Sequence, residues 1–529
     1  MPILQQASAN TTALIVPDLY VQIVPPQNLV LNGVPTDVVG LVGTASWGPV
    51  GQPVIAATMS DYARSFGPVM PRKYDLGTPM AAAVQQGAQN FRCVRVSDGT
   101  DTAAQLGLFY NNSPSGPLVL TARYTGSFGT QITGAFSPGS QPNTWRFTVS
   151  LPGFAPEVFD NIGGAGQAFW QAVVVAINNG QSAMRGPSQI VIASLGNAFT
   201  TMPIASTFAF AYGTPGTDGA ANITAATLVG QDVAPRKGLY CLRGQGCSVA
   251  LLADADDPTQ WTTQAGFGVS EGIYMILTGP AGDTVADAVS TKQSAGLDSY
   301  AAKLIFGDWV WWNDQANGIV RLISPQGFAA GRLANLSPEQ SSLNKPLYAV
   351  VGSQKSGTPG SGQSTTYATA DLAALLQAGI DVIANPQPGG AFWGVRGGHN
   401  ASSNSATNGD NYTRLTNYLA ATLAAGMGQY VGEVINAQLF QRIRATQLSF
   451  LQNMLSQGML GSTNGSPPFS VICDASNNPA SRTSLGYVQS DAQVQYQAIN
   501  EKFIVNIEGG QTVQVATQVL PTTPGALAA

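Results

Sequence analysis

Gly268-Val269-Ser270-Glu271-Gly272 spaces a serine between two glycines, the pattern that exposes a nucleophile on a tight strand-to-helix turn. Asp371 or Asp381 followed by His399 would complete the chain order serine, carboxylate, histidine, in which the imidazole takes the hydroxyl proton. The elements around Ser270 run the wrong way for that chemistry. A helical pattern precedes it and a strand pattern follows over residues 272–278, whereas a nucleophile elbow needs the strand first. His399 stands in the turn-like stretch Gly397-Gly398-His399-Asn400. A serine hydrolase using Ser270 and His399 is therefore the weakest function weighed, and no catalytic residue is assigned.

Other chemistry-bearing groups also have structural roles open to them. Asp254, Asp256 and Asp257 end a buried-strand pattern, where carboxylates can hold a divalent cation, yet Asp257-Pro258 is a strong helix start and capping is the favoured role. Trp309, Trp311 and Trp312 could stack a sugar, although aromatic alternation in a strand describes two packed sheet faces. Residues 352–357 contain Lys355 but lack the Gly-Lys-Ser/Thr ending of a phosphate loop. Cys93, Cys241, Cys247 and Cys473 include no CxxC pair, so no local four-ligand zinc site forms, and sparse thiols fit buried positions in a reducing compartment. No metal and no cofactor are expected.

Charge narrows the partners. Lys plus Arg number 23 and Asp plus Glu 28, a net −5 that supplies no drive toward nucleic acid or an anionic membrane. Only 10% of residues are charged, against about 25% in ordinary domains. Such a surface suits life inside an assembly. The first basic residue is Arg64, so the N-terminus lacks the positive region of a secretory signal. The greasiest stretch, residues 301–312, carries Lys303 and Asp308 and is shorter than the ~20 residues of a membrane helix. A soluble protein is expected.

The 529 residues call for several domains, and 60 glycines and 33 prolines make the chain turn-rich. Residues 1–17 read as an extended arm with strand potential at Ala13, Leu14, Ile15 and Val16 but no core of its own. Residues 18–98 alternate strand, helix and strand, including a helix that Thr78 caps and a strand over 91–96, which begins an α/β sheet. Residues 99–220 change to alternating strands between Gly, Pro and Ser clusters with one helix at 167–178, an inserted β-rich outer domain. Residues 221–388 resume the α/β pattern, with one strand expected over 304–312, another over 318–323 and a loop over 352–366. Residues 389–510 form an α+β domain with helices at 412–423 and 434–455 and strands at 469–473 and 503–507. Residues 511–529 form a C-terminal arm with a strand at 513–519 and a flexible tail. The fold class is multidomain α+β: a central α/β sheet domain, an inserted mostly-β domain and a C-terminal α+β domain.

Motifs in a fixed order tie these pieces together. Pro17-Asp18-Leu19-Tyr20-Val21 resembles the opening "PGVYV" strand of contractile phage tail sheath proteins and related injection machines, with Asp18 in place of the glycine. Gly43-Thr44-Ala45-Ser46-Trp47-Gly48-Pro49 followed by Phe66-Gly67 is similar to that family's "G.A..GP … FG", and Arg95-Val96 to its "vvRV" strand. Ser324-Pro325, Gly327 and Ala330-Gly331 resemble "vPPSG..AG". Phe450-Leu451, Gln457-Gly458-Met459-Leu460-Gly461, Phe469 to Asp474 and Asn477-Asn478 resemble the closing "fL..l...GaL.G … f.V..D … N".

The resemblance implies a structural, non-enzymatic subunit. Such subunits stack as six-membered rings around a tail tube, meet baseplate and tail terminator proteins, and contract to drive the tube through a host envelope. They assemble in the bacterial cytoplasm and end in the virion tail. It also implies terminal arms that add strands to neighbouring subunits, here Ala13, Leu14, Ile15 and Val16 at one end and Val513, Val515 and Val519 at the other, completing the C-terminal domain. Arg442 and Arg444 fall away from the apolar stripe of their helix and are candidates to face the tube, with local ion pairing to Glu433 as the other role. An exported adhesin or surface-layer protein would share the composition but would need an export signal.

Overall fold

A computed structural model describes residues 3–4, 21–22, 31–108, 116–197, 202–363, 366–463 and 465–507. The run Val38, Val39, Leu41, Val42 is apolar on both faces, as a strand covered from both sides must be, and forms β1 (Val38–Gly43), buried throughout. Then come β2 (Pro53–Ala56), α1 (Met59–Phe66), α2 (Gly77–Gln85) and β3 (Asn90–Arg95). A β-rich stretch follows: β4 (Gln105–Leu108), β5 (Leu118–Ala122), β6 (Thr133–Pro138), β7 (Trp145–Ser150), β8 (Glu157–Ile162), α3 (Gly166–Asn179), β9 (Val191–Leu195) and β10 (Ser206–Ala209). The α/β alternation returns with β11 (Val249–Leu252), α4 (Trp261–Glu271), β12 (Tyr274–Thr278), α5 (Val285–Ala295) and β13 (Ala302–Ile305). Next are β14 (Val310–Asp314), β15 (Ile319–Ile323), α6 (Gln326–Ala334), β16 (Val350–Ser353) and α7 (Thr369–Gln377). The last elements are α8 (Asp410–Met427), α9 (Ala437–Ser456), β17 (Phe469–Ile472) and β18 (Asp491–Val494).

The central sheet runs β13-β12-β11-β1-β3-β2, parallel except for β2. Both faces are covered. Val42, Val94, Leu252, Leu277 and Trp261 pack on one side; Leu41, Phe91, Phe66, Met80 and Phe328 pack on the other. On that second side α2 and α6 touch backbone to backbone: a Cβ on Gly331 would lie 2.4 Å from the Cα of Ala83. The Ala330-Gly331 pair of the sequence motif is thus a contact requirement.

The β-rich stretch builds two sheets, β8-β7-β6-β10 and β9-β5-β4, with α3 against them. Phe136, Phe147, Phe159, Phe169 and Trp170 fill its core, joined by Trp47 from the turn between β1 and β2. Trp47 meets Tyr124 and Phe128 edge to face, with ring centroids 5.4 and 6.2 Å apart. A small sheet, β15-β14-β16, stands beside the central one.

Several expectations need correction. Residues 304–312 are two strands, β13 and the start of β14. At the break Gly307 passes so close to Pro280 that a Cβ would sit 1.9 Å from its carbonyl oxygen. Asp308 there accepts from Lys355 N (2.8 Å) and Tyr367 Oη (2.7 Å), which turns the chain. Thr78 does not cap α2; Asp75 Oδ2 accepts from its N–H and hydroxyl, both at 3.0 Å. The expected loop at 352–366 begins inside β16. β18 was not foreseen. Residues 503–507 form no strand, because a β-rich run gains regular structure only with a ladder partner.

The chain divides into two compact units, Met1–Gln497 and Ala498–Ala529. In the second, residues 498–507 have no regular structure, and Phe503, Ile504, Val505 and Ile507 are exposed.

Candidate functional site

The C-terminal part of the first unit is built around α8 and α9. Asn436 caps α9, its side chain accepting from Leu439 N at 2.8 Å. Leu439, Ile443, Thr446, Phe450 and Met454 recur at three- and four-residue intervals and are buried, leaving the opposite face to solvent. β17 packs near α9 and pairs antiparallel with β18, Phe469 opposite Val494. Among the described residues neither strand has a second neighbour. Two strands alone are marginal in water, and this pair leaves a row of N–H and C=O groups open on each outer edge. Beside β18 lies a groove of about 570 Å³ lined by Tyr412, Thr416, Leu419, Phe450, Val494 and Tyr496. An extended apolar segment entering there would gain ladder bonds from an edge and burial from the groove.

A buried charge cluster fixes α8 to the central sheet. Lys303 of β13 has no side-chain exposure; its Nζ lies 2.6 Å from Asp381 Oδ2 and 3.0 Å from Asp410 Oδ1, and donates to His399 O at 3.0 Å. Asp381 also accepts backbone N–H bonds from Val382, Gly397, Gly398 and His399. Asp410, the first residue of α8, accepts from Tyr274 Oη at 2.6 Å and from Ser342 N at 3.2 Å. Burial opposes the Lys303 charge, but the two carboxylates outweigh it and hold the ammonium above its ordinary value. Burial also opposes ionisation of Asp410, and Lys303, Ser342 and Tyr274 together keep its carboxyl below the usual range. One turn on, Arg414 donates to Ser337 O (2.9 Å) and Leu336 O (2.7 Å).

The central sheet has a topological switch point where β1 and β11 diverge, the place where open α/β sheets bind ligands. Here that crevice holds the protein's own residues 72–76. Thr44 N donates to Tyr74 O (2.7 Å), Leu76 N to Thr44 O (2.8 Å) and Tyr74 N to Asp254 Oδ2 (3.2 Å). A Cβ on Gly43 would lie 2.9 Å from Leu76 backbone atoms, so the loop sits directly on the strand end.

The residues singled out by type are placed as follows. Ser270 lies in the last turn of α4 and donates to Phe267 O at 3.0 Å, a helical setting rather than an elbow. Asp371 pairs with Lys355 at 3.0 Å, and Asp381 belongs to the Lys303 cluster. Asp257 caps the turn leading into α4 by accepting from Thr259 N, while Asp256 pairs with Lys73 at 2.9 Å. Trp309 and Trp312 are buried, their indole N–H groups donating to Gly279 O (3.1 Å) and Gln85 Oε1 (2.7 Å), so they form no open platform. Arg442 pairs with Glu433 at 2.6 Å and lies over the Tyr430 ring, whereas Arg444 is exposed on the same helix. Ala13, Leu14, Ile15, Val16, Val513, Val515 and Val519 lie outside the described residues. All four cysteines are free and buried. Among the described residues no helix is long and apolar enough to cross a membrane. The Lys303 cluster escaped sequence reasoning, although a lysine inside the apolar run Ala301-Ala302-Lys303-Leu304-Ile305 signals that buried carboxylates must meet it.

No family model matches the chain, and no curated protein does. Solved structures do match. A sheath tail protein of Desulfitobacterium hafniense superposes with a TM-score of 0.55 at 15% identity, over 85% of this chain and 93% of that one. A sheath tail protein of Listeria innocua gives 0.57 at 14% identity, over 84% and 89%. The helical sheath of the anti-feeding prophage in its contracted state gives 0.55 at 11% identity, over 94% and 99%. The mixed α/β fold of this chain is the fold of contractile tail sheath proteins.

Proposed function

We propose that this chain is the sheath subunit of a contractile tail or injection device. What carries the proposal is a fold shared with a contracted helical sheath over 94% of this chain and 99% of the other. In this role the subunits stack as six-membered rings around a tail tube, contact baseplate and terminator proteins, and contract to drive the tube through an envelope. Their place is the virion tail after assembly in the bacterial cytoplasm, and they perform no catalysis. The own-chain loop in the switch-point crevice agrees with a structural role.

Strand exchange is the proposed link between subunits. The open β17–β18 pair and its groove are the receiving site; Ala13 to Val16 and the segment containing Val513, Val515 and Val519 are the donors. The exposed run Phe503, Ile504, Val505, Ile507 supports a C-terminal unit that seeks a partner. A five-residue strand adds about four to six backbone bonds at ~0.5–1.5 kcal/mol each, enough to persist while the packing between subunits changes. Arg444 remains the better candidate for facing the tube, since Arg442 already has Glu433.

The test is negative-stain electron microscopy of the purified full-length chain. Tubes or stacked rings of uniform width are expected. A monodisperse monomer that hydrolyses ester substrates would overturn the proposal.

A further inference from the structure

Two of the four edge strands in the β-rich region's sheets are β8 and β9, and an edge strand with open backbone groups recruits strands from other chains. Both edges are occupied, and by one helix end. Ala193 of β9 donates its N–H to Asn178 Oδ1 at 2.9 Å and accepts at its C=O from Asn178 Nδ2 at 2.8 Å. Asp160 of β8 donates its N–H to Gln181 Oε1 at 3.1 Å and accepts at its C=O from Gln181 Nε2 at 2.6 Å. A primary amide offers the same acceptor and donor as the peptide group of a neighbouring strand, so each side chain stands where the next strand would pair. Asn178 is in the last turn of α3, and Gln181 follows its C-cap Gly180.

Neighbouring bonds extend the closure. Val191 N donates to Ser188 Oγ at 3.0 Å, and Gln189 N donates to the Glu157 carboxylate at 2.8 Å, tying the start of β8 to the approach to β9. The register shift between Phe159 and Ile162 bends β8 away from a straight template. Among the described residues a two-point amide, Asn478 on Gln489, stands just before β18, and none lies on β17 or β18 themselves.

We infer that Asn178 and Gln181 are edge guards that close β8 and β9 to a strand from a second copy of this chain, leaving β17–β18 as the receiving sheet. The choice of receiving sheet rests on the proposed strand exchange; the closure of β8 and β9 stands on its own geometry. In an ordered polymer a second sticky edge would cross-link subunits out of register, so such guards select one mode of self-association.

The test uses the full-length chain carrying Asn178→Ala and Gln181→Ala. Hydrogen exchange at the Ala193 and Asp160 amides should rise at least tenfold. New β-rich oligomers should form, with intermolecular cross-links mapping to residues 157–195. Faster exchange without such oligomers or cross-links would overturn the inference. If the double alanine variant fails to fold, Asn178→Leu with Gln181→Met keeps side-chain size but removes both acceptor and donor, and the same two readouts apply. Tube formation by the parent is scored separately: its absence sinks the sheath proposal, while cross-links through residues 157–195 still decide whether the guards work.

Discussion

Asp75 has no exposed surface and carries an unusual proton. Burial pushes its carboxyl up to about 7, against the opposing pull of Arg72 and the Thr78 bonds. Between about pH 4 and 7 the unfolded chain has released this proton while the folded chain holds it. Stability therefore falls as pH rises through that window and levels off above it. Asp75→Asn keeps an acceptor for Thr78 and removes the titration. It is expected to match the parent near pH 4 and to exceed it at pH 8 by up to about 4 kcal/mol, read from urea denaturation at the two pH values. A difference that does not change with pH would show that Asp75 is not the group responsible.

Elements are joined through Lys303, which couples β13 to the N-terminus of α8. Lys303→Met preserves much of the side-chain volume but leaves Asp381 and Asp410 buried without their cation, an expected loss of about 3–5 kcal/mol. Adding Asp410→Asn should recover more than half of that, because Asp381 keeps four backbone donors. No recovery in the double variant would assign the loss to packing. The elements themselves were largely legible: continuous apolar runs mark β1 and β11, and the interval pattern marks α9. Their joint was not, since Lys303 meets partners 78 and 107 positions away and nothing local records the pairing. β18 escaped because Asp491-Ala492-Gln493-Val494 lacks β-branched alternation and is a strand only through its register with β17. Residues 503–507 failed in the opposite sense, carrying strand composition without a partner to realise it.

At the scale of the whole molecule, the chain divides after Gln497 into two units, and the proposed strand exchange draws its C-terminal donor from the second. The hydrophobic clusters consist of residues before that point, whereas Phe503 is 83% and Ile507 87% exposed. An isolated chain gains little from such side chains, whereas under the proposed strand exchange an assembled one would gain both their burial and a strand's worth of backbone bonds. A chain ending at Gln497 should therefore keep its circular dichroism spectrum and a single cooperative melt. Its association should weaken at least about fivefold, since losing even two ladder bonds removes about 1–3 kcal/mol. Sedimentation velocity over a concentration series measures this directly. A truncated chain that no longer melts cooperatively would mean that the segment completes its own fold. Undiminished polymers would mean that the C-terminal segment links no subunits, and the open β17–β18 edges would then need another occupant, the N-terminal segment being the remaining proposed donor.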